Sequence, residues 1–270
     1  LVTQYINPDG KISWINSPEF LSSMEYSVVN FNAVRYKKNS IYVAWQGIGK
    51  DRNIYHQIIN NERITSLGRT GLIAVDKNGN QSNPQPVETD SSIVLSWINE
   101  INNVRSVYVQ KFNSNGIPLW ERDGKSILPI DGIQFGQRIV EDKRGGVIIA
   151  WIDKRVDDAH PDIYAQRIDN TGNFLWDSLG IDIASYYNSE KSYLSLIPDE
   201  RGGAIAFFKE SREGKNEIYG QKIFSNGRYI SEILAFDAVH RGDSIQITWY
   251  TVNEMSNDDY RIERTIQADV

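Results

Sequence analysis

Five times along the chain a run of apolar residues ends in an aromatic side chain: residues 41–45, 93–97, 147–151, 204–208 and 245–249, closing on Trp45, Trp97, Trp151, Phe208 and Trp249. Runs this short, rich in β-branched residues and bounded by polar turn residues, read as buried strands. Each follows a turn, such as Lys37-Lys38-Asn39-Ser40, Asp142-Lys143-Arg144-Gly145-Gly146 or Asp199-Glu200-Arg201-Gly202-Gly203. Gly, Asn and Asp supply the positive φ that tight hairpin turns require. The residues before the turn, such as 138–141 and 193–197, read as a preceding strand. The unit therefore begins with a hairpin of strands A and B.

A third strand, C, follows a variable polar loop. It is seen in Ile54-Tyr55-His56-Gln57, Val107-Tyr108-Val109-Gln110, Ile163-Tyr164-Ala165-Gln166 and Ile218-Tyr219-Gly220-Gln221. Period-two alternation puts Tyr and Gln on one face and the intervening residue on the other. A Gly turn then leads to a strand D carrying Trp120 or Trp176. The Gln positions 4, 57, 110, 166 and 221 follow one another at intervals of 53, 53, 56 and 55 residues. From turn glycine to the end of the next strand B is 35 residues in Gly10 to Trp45, Gly116 to Trp151 and Gly172 to Phe207.

A repeat of about 53 residues with four strands and no helical period predicts an all-β, five-bladed β-propeller of four-stranded antiparallel blades. The chain spans residues 1–270 as a single domain, with repeats near 30–80, 84–133, 134–188 and 189–232 and a fifth blade shared by 1–25 and 233–270. Its start, from Leu1 through Gly10 to Trp14, matches strands C and D, and its end matches A and B, so the two termini complete one sheet and remove exposed edges. Residues 260–266 also read as a strand C and compete for that place. A fragment of a six- or seven-bladed ring is the alternative. Trp14, Trp45, Trp97, Trp120, Trp151, Trp176 and Trp249 are expected to pack between blades, each burying on the order of 150–250 Å2.

Composition narrows the picture. With 40% hydrophobic and 24% charged residues the chain can build a substantial core, and a net charge of −6 without any basic stripe argues against nucleic acid. No apolar run is long enough to enter a membrane as a helix. The absence of cysteine excludes a disulfide framework and thiol chemistry. Leu1 falls in mid-pattern, without an initiator Met or signal peptide, which implies processing or trimming.

The stretch Gly145-Gly146-Val147-Ile148-Ile149-Ala150-Trp151-Ile152-Asp153-Lys154-Arg155, then Asp162-Ile163-Tyr164-Ala165-Gln166-Arg167-Ile168-Asp169 and Gly172-Asn173-Phe174-Leu175-Trp176, resembles the propeller-like repeats of secreted and cell-surface proteins from Bacteroidetes and related bacteria. The resemblance covers nearly the whole chain. It implies an extracellular or surface location and leaves function open, since most such proteins have no assigned role. A weaker similarity is to the Asp-box hairpins of sialidase-like propellers, but the Gly-to-Trp spacing is one residue longer and the Ser and Asp positions fail, so no catalytic residue carries over.

Reactive constellations are sparse. His56, His160 and His240 occupy unrelated repeat positions and read as surface or loop residues rather than a metal set or dyad. Glu141, Asp142, Asp153, Asp199 and Asp237 lie near strand ends, and the shared position of Asp142 and Asp199 points to turn chemistry. Asp157, Asp158, His160 and Asp162 form an acidic loop without the spacing of a known calcium loop. Arg241-Gly242-Asp243-Ser244 sits where other repeats have an A–B turn, which accounts for it without a partner. Tyr186, Tyr187 and Tyr193 flank a connecting segment and either stack on a ligand or bury between blades.

These observations predict a non-catalytic module that binds a protein or glycan, or serves structurally in an extracellular assembly. No metal, cofactor or catalytic residue is expected, and no ligand-binding residue is identified. The second reading is a carbohydrate-active enzyme with acids in the central channel. Three or more acids converging at one end of the channel, with an Arg or an aromatic platform, would favour that second reading.

Overall fold

A computed structural model describes residues 1–13, 19–23, 25–49, 52–62, 65–90, 92–186, 188–199, 201–212, 214–229, 232–241 and 244–252, the last two segments by backbone alone. The regular structure among these residues is entirely β. A short pair, β1 (Val2–Thr3) and β2 (Glu19–Phe20), comes first. The first full sheet is β3 (Ser27–Tyr36), β4 (Ser40–Ile48), β5 (Arg52–Asn60) and β6 (Leu72–Val75). The second is β7 (Asn80–Thr89), β8 (Ser92–Ile101), β9 (Val104–Phe112) and β10 (Lys125–Ser126). The third is β11 (Gln134–Glu141), β12 (Val147–Asp153), β13 (Asp162–Ile168) and β14 (Ile181–Ala184). The fourth has β15 (Glu190–Pro198), β16 (Ala204–Arg212) and β17 (Lys215–Ile223), and a last hairpin is β18 (Glu232–Arg241) with β19 (Ser244–Val252). Each sheet is antiparallel with strands in chain order, a β-propeller-like succession.

The second strands of the first three sheets are covered on both faces, and that is why they are apolar along their length instead of alternating. Trp97 of β8 packs into a core with Tyr42, Ala44 and Ile54 of the preceding sheet. Trp151 of β12 does the same with Val94, Val107 and Val109. Trp45 joins Leu21, Val43 and Ile59, with Leu1 against them. All three indoles are fully buried and stack on the strand C tyrosine paired directly opposite, with centroid separations of 6.1 Å for Trp45–Tyr55, 5.8 Å for Trp97–Tyr108 and 6.2 Å for Trp151–Tyr164. In the fourth sheet Phe208 takes this place, 6.2 Å from Tyr219. The 35-residue spacing pointed to Phe207, but the connection there is one residue longer. A one-residue step reverses the face, and Phe207 is left 39% exposed.

The repeated glutamine has a structural cause that its spacing did not reveal. Gln57, Gln110 and Gln166 are buried, and each side-chain oxygen accepts from the next backbone N–H and from the N–H ten residues on. In Gln166 these are Arg167 N at 2.9 Å and Trp176 N at 3.1 Å, while Nε2 donates to Asp177 O at 2.6 Å. One amide thus fastens a loop to the strand it has just left. This corrects the expectation of a strand D through Trp120 and Trp176. After single bridges, Phe112 to Pro118 and Ile168 to Phe174, the glutamine pulls the chain out of the ladder, and the fourth strand forms later, as β10 and β14. Trp120 Nε1 instead donates to Asn170 O of the next sheet at 3.1 Å, and Trp176 Nε1 to Ser225 O at 3.3 Å. The loop returns through Gly180, whose φ is +78° and where a Cβ would fall 2.6 Å from Trp151 Cη2.

First strands face a common axis. Asn32 Nδ2 donates to Pro84 O at 2.8 Å, and Gln137 Nε2 donates to Asn83 O at 2.8 Å, so β3, β7 and β11 touch in order. In the first four A–B hairpins the first strand carries a β-bulge centred on a left-handed residue: Asn30 (φ +48°), Asn83 (+54°), Gly136 (+64°) and Tyr193 (+54°). Among the described residues β1 pairs with β2 and β19 with β18; the single sheet expected to join the chain ends is not among these pairings. Trp14 and residues 260–266 lie outside the described residues, as does the side chain of Trp249.

Trp97→Ala is expected to cost about 3–5 kcal/mol, against about 1–2 kcal/mol for the half-exposed Trp120→Ala; urea unfolding monitored by circular dichroism measures both. Gln166→Leu strands two N–H groups and a carbonyl and is expected to cost about 3 kcal/mol.

Candidate functional site

The axis ends in two mouths of different chemistry. At the A–B turn end a cavity of about 590 Å3 is lined by Val34, Val87 and Val140, with Arg35, Glu88, Asp90, Glu141 and Pro198 around them. The three valines hold one register, pairing with Tyr42, Val94 and Ile148 of their second strands, and form an apolar collar. Glu88 Oε1 accepts from Lys37 N at 2.6 Å and Glu141 meets Lys143 at 2.5 Å. Three carboxylates and an arginine thus share one cavity, the convergence that the enzymatic reading asks for.

At the opposite end, where second strands turn into third strands, two adjoining cavities of about 430 and 390 Å3 share Glu100, Arg105 and Phe135. The bulges bring Asn30, Asn83 and Gly136 to this rim, and the start of β5 adds Arg52. Lys154 lines the second cavity. The amides are held in place: Asn30 Nδ2 donates to Gln46 Oε1 at 3.2 Å, and Asn83 donates to Gln137 at 3.0 Å and accepts from Gln85 at 3.0 Å. Glu100 pairs with Arg105 at 3.0 Å. Among the described residues neither Arg52 nor Lys154 has an ion-pair partner, so the groove carries three cations against one carboxylate.

Several residues singled out in the sequence belong to the framework instead. Asp142 accepts from Arg167 Nε at 2.9 Å and Gly146 N at 2.8 Å, and Asp199 accepts from Gly203 N at 2.5 Å, both closing A–B turns. Asp153 is buried, accepting from Trp151 Nε1 at 2.9 Å and Arg155 Nη2 at 2.7 Å, while that guanidinium lies 3.8 Å from the Tyr164 ring centroid. Burial drives the Tyr164 hydroxyl up to about 12. The next sheet repeats the clamp with Glu210, Arg212 and Tyr219, and adds the fully buried Lys191 at 3.6 Å from Glu210 and 3.2 Å from Asp162. The Trp-x-Asp-x-Arg and Phe-x-Glu-x-Arg spacing, 151–155 and 208–212, carried this signal and was not read in the sequence.

The side chains of the acidic loop turn to separate protein partners. Asp157 bonds His160 at 2.7 Å, Asp162 turns inward to Lys191, and no three metal-ligating side chains converge among the described residues. Asp237, His240 and the Arg241 turn are without described side chains. Tyr186 lies beneath Arg212, 4.3 Å from ring centroid to guanidinium. Tyr187 lies outside the described residues, and Tyr193 sits in the innermost strand β15 with 80% of its surface exposed.

His56 corrects the surface reading of the histidines. It fills the position where other repeats have Val109, Ala165 or Gly220, fully buried against Phe112 with Nδ1 2.7 Å from Tyr42 Oη. Burial lowers its pKa to about 3. A neutral folded imidazole and an unfolded one near 6.5 make the stability contribution complete above pH 6.5 and progressively lost as pH falls toward 3. Asp162 and Asp182, raised by burial, act with the opposite sign just above the ordinary carboxylate range. The difference between wild type and His56→Gln isolates the histidine: the wild type is expected to lose stability relative to the variant by up to about 1.4 kcal/mol per pH unit between 6.5 and 4, read from thermal unfolding across pH.

No known protein family matches the chain, and no curated protein does. Among solved structures, a protein of unknown function from Dyadobacter fermentans aligns with a TM-score of 0.54 at 10% identity, over 86% of this chain and 77% of that one. A putative glycoside hydrolase from Parabacteroides distasonis aligns at TM-score 0.47 and 12% identity, over 86% and 78%. An endo-arabinase from Bacteroides thetaiotaomicron aligns at 0.44 and 15%, over 88% and 93%. The first likeness is one of fold alone, and the other two are too distant to assign an activity. Among the described residues no helix is long and apolar enough to cross a membrane.

Proposed function

We propose that the chain is a secreted or cell-surface β-propeller of five blades whose B–C face binds a glycan without cleaving it. The observation that carries this reading is the composition of the groove: positioned amides from Asn30 and Asn83, a partly exposed Phe135, and one carboxylate, Glu100, already tied to Arg105. Amides and an aromatic face suit sugar hydroxyls and ring faces, whereas glycosidic hydrolysis needs two carboxylates across the bond. A protein partner is the other occupant of the same face. Five blades are supported by the bridge that recurs at each C turn, Ile6–Ile12, Ile59–Thr65, Phe112–Pro118, Ile168–Phe174 and Ile223–Tyr229, together with five A–B hairpins. Among the described residues the hairpin β18–β19 has no third strand and the third strand β1 has no hairpin, which supports a blade completed by the two ends of the chain.

The second reading, a carbohydrate-active enzyme, is supported at the other mouth by Glu88, Asp90, Glu141 and Arg35 on one cavity. A glycan array followed by product analysis separates the two. The binding reading expects retention of a glycan with no release of reducing ends, and Glu88→Gln and Glu141→Gln binding as well as wild type. Turnover lost in those variants would establish the enzyme instead.

A further inference from the structure

Tyr193 has a backbone that its side chain does not favour. Its φ of +54° is in the left-handed region, where a bulky aromatic is a true outlier, and its ring is 80% exposed, so burial does not account for it. Strain of this kind is retained at sites of function. The same bulge position in the first three sheets is filled by Asn30, Asn83 and Gly136, residues that tolerate this conformation and that line the B–C groove. Tyr193 holds the same bulge position on the first strand of the fourth sheet, outside the residues that line the two cavities. Lys209 Nζ lies 5.8 Å from the ring centroid.

Charge is the second observation. The chain as a whole carries −6, yet Arg52, Arg105 and Lys154 converge on the groove with Glu100 as its only acid among the lining residues. Local positive charge in a concave site selects anionic ligands. Guanidinium and carboxylate match geometrically.

From these two observations we infer that the groove takes an acidic oligosaccharide. Phe135 lines the groove and Tyr193, on the first strand of the next sheet, extends it with a stacking face for a sugar ring; Asn30 and Asn83 meet hydroxyls, and Arg52 and Lys154 hold the carboxylate or sulfate groups. This deepens the glycan-binding reading and rests on it. A nucleic acid strand would share the negative charge, but Phe135 is the one aromatic lining the groove, with Tyr193 outside it, where successive bases need a row of stacking platforms.

Isothermal titration of the whole chain with uronate, sialylated and sulfated oligosaccharides, each paired with a neutral oligosaccharide of the same length, tests the inference. At least one acidic member is expected to bind, to weaken as NaCl is raised, and to lose about tenfold in affinity in Arg52→Gln and again in Lys154→Gln. Tyr193→Asn, which installs the residue used by two other sheets, is expected to lose affinity while its melting temperature stays equal to or above wild type. A residue kept for packing would instead lower it. Binding of acidic and neutral members with equal affinity overturns the inference and leaves the glycan reading standing. Unchanged affinity in the three variants places the site elsewhere and also overturns it. Binding of no acidic member overturns it as well, with the neutral members then deciding the glycan reading by themselves. Binding of an oligonucleotide in preference to every sugar would reassign the groove.

Discussion

A four-stranded sheet whose middle strands are apolar on both faces cannot be satisfied alone. Trp45, Trp97 and Trp151 each bury an indole against the strands before their own sheet, while the opposite face of the same strand receives the aromatic of the sheet that follows, Trp97, Trp151 and Phe208 in turn. This demand for two covered faces propagates from sheet to sheet and ends only if the last sheet meets the first. The succession of sheets, each packed on the one before it, follows from it.

Within that frame the second and third sheets solve the same local problem with the same atoms. The buried glutamine satisfies a strand and a departing loop at once, and the loop's aromatic reaches over to the next sheet's turn, so the bonds that finish one sheet also fix its neighbour. Repetition of such bonds leaves little of the interior for chemistry. Buried charges are spent the same way: Asp153 with Arg155, Glu210 with Arg212 and Lys191, each satisfied by several partners. Freedom is confined to the rims, where loops differ and where the bulges turn side chains toward the axis.

The sheets were legible in the sequence because burial on two faces writes continuous apolar runs and tight turns write Gly, Asn and Asp. What was not legible depended on register and on distance. The apolar run 204–208 closes on Phe208, but the 35-residue spacing counted from Gly172 falls one short of it, because the loop there is one residue longer. His56 read as a surface or loop residue, and its neighbours Tyr42 and Phe112 place it in the core. Trp120 and Trp176 looked like strand residues because nothing in the spacing shows that a glutamine ten positions back pulls the chain aside. The groove was invisible for a deeper reason: Arg52, Asn83, Arg105 and Lys154 come from three repeats and meet only after the sheets are stacked.

The central claim is that the chain ends share one sheet. The B–C pairing sets the register: Ala44 faces His56, Ser96 faces Val109 and Ala150 faces Ala165, which places Thr248 opposite Thr3. The natural chain contains no cysteine, so Thr3→Cys with Thr248→Cys introduces a single possible bridge. Treatment with a short thiol cross-linker and peptide mapping by mass spectrometry is the direct test. The account predicts rapid, concentration-independent cross-linking within one chain and a higher melting temperature in the bridged protein. Cysteines that stay free, or that link only between chains, would contradict it.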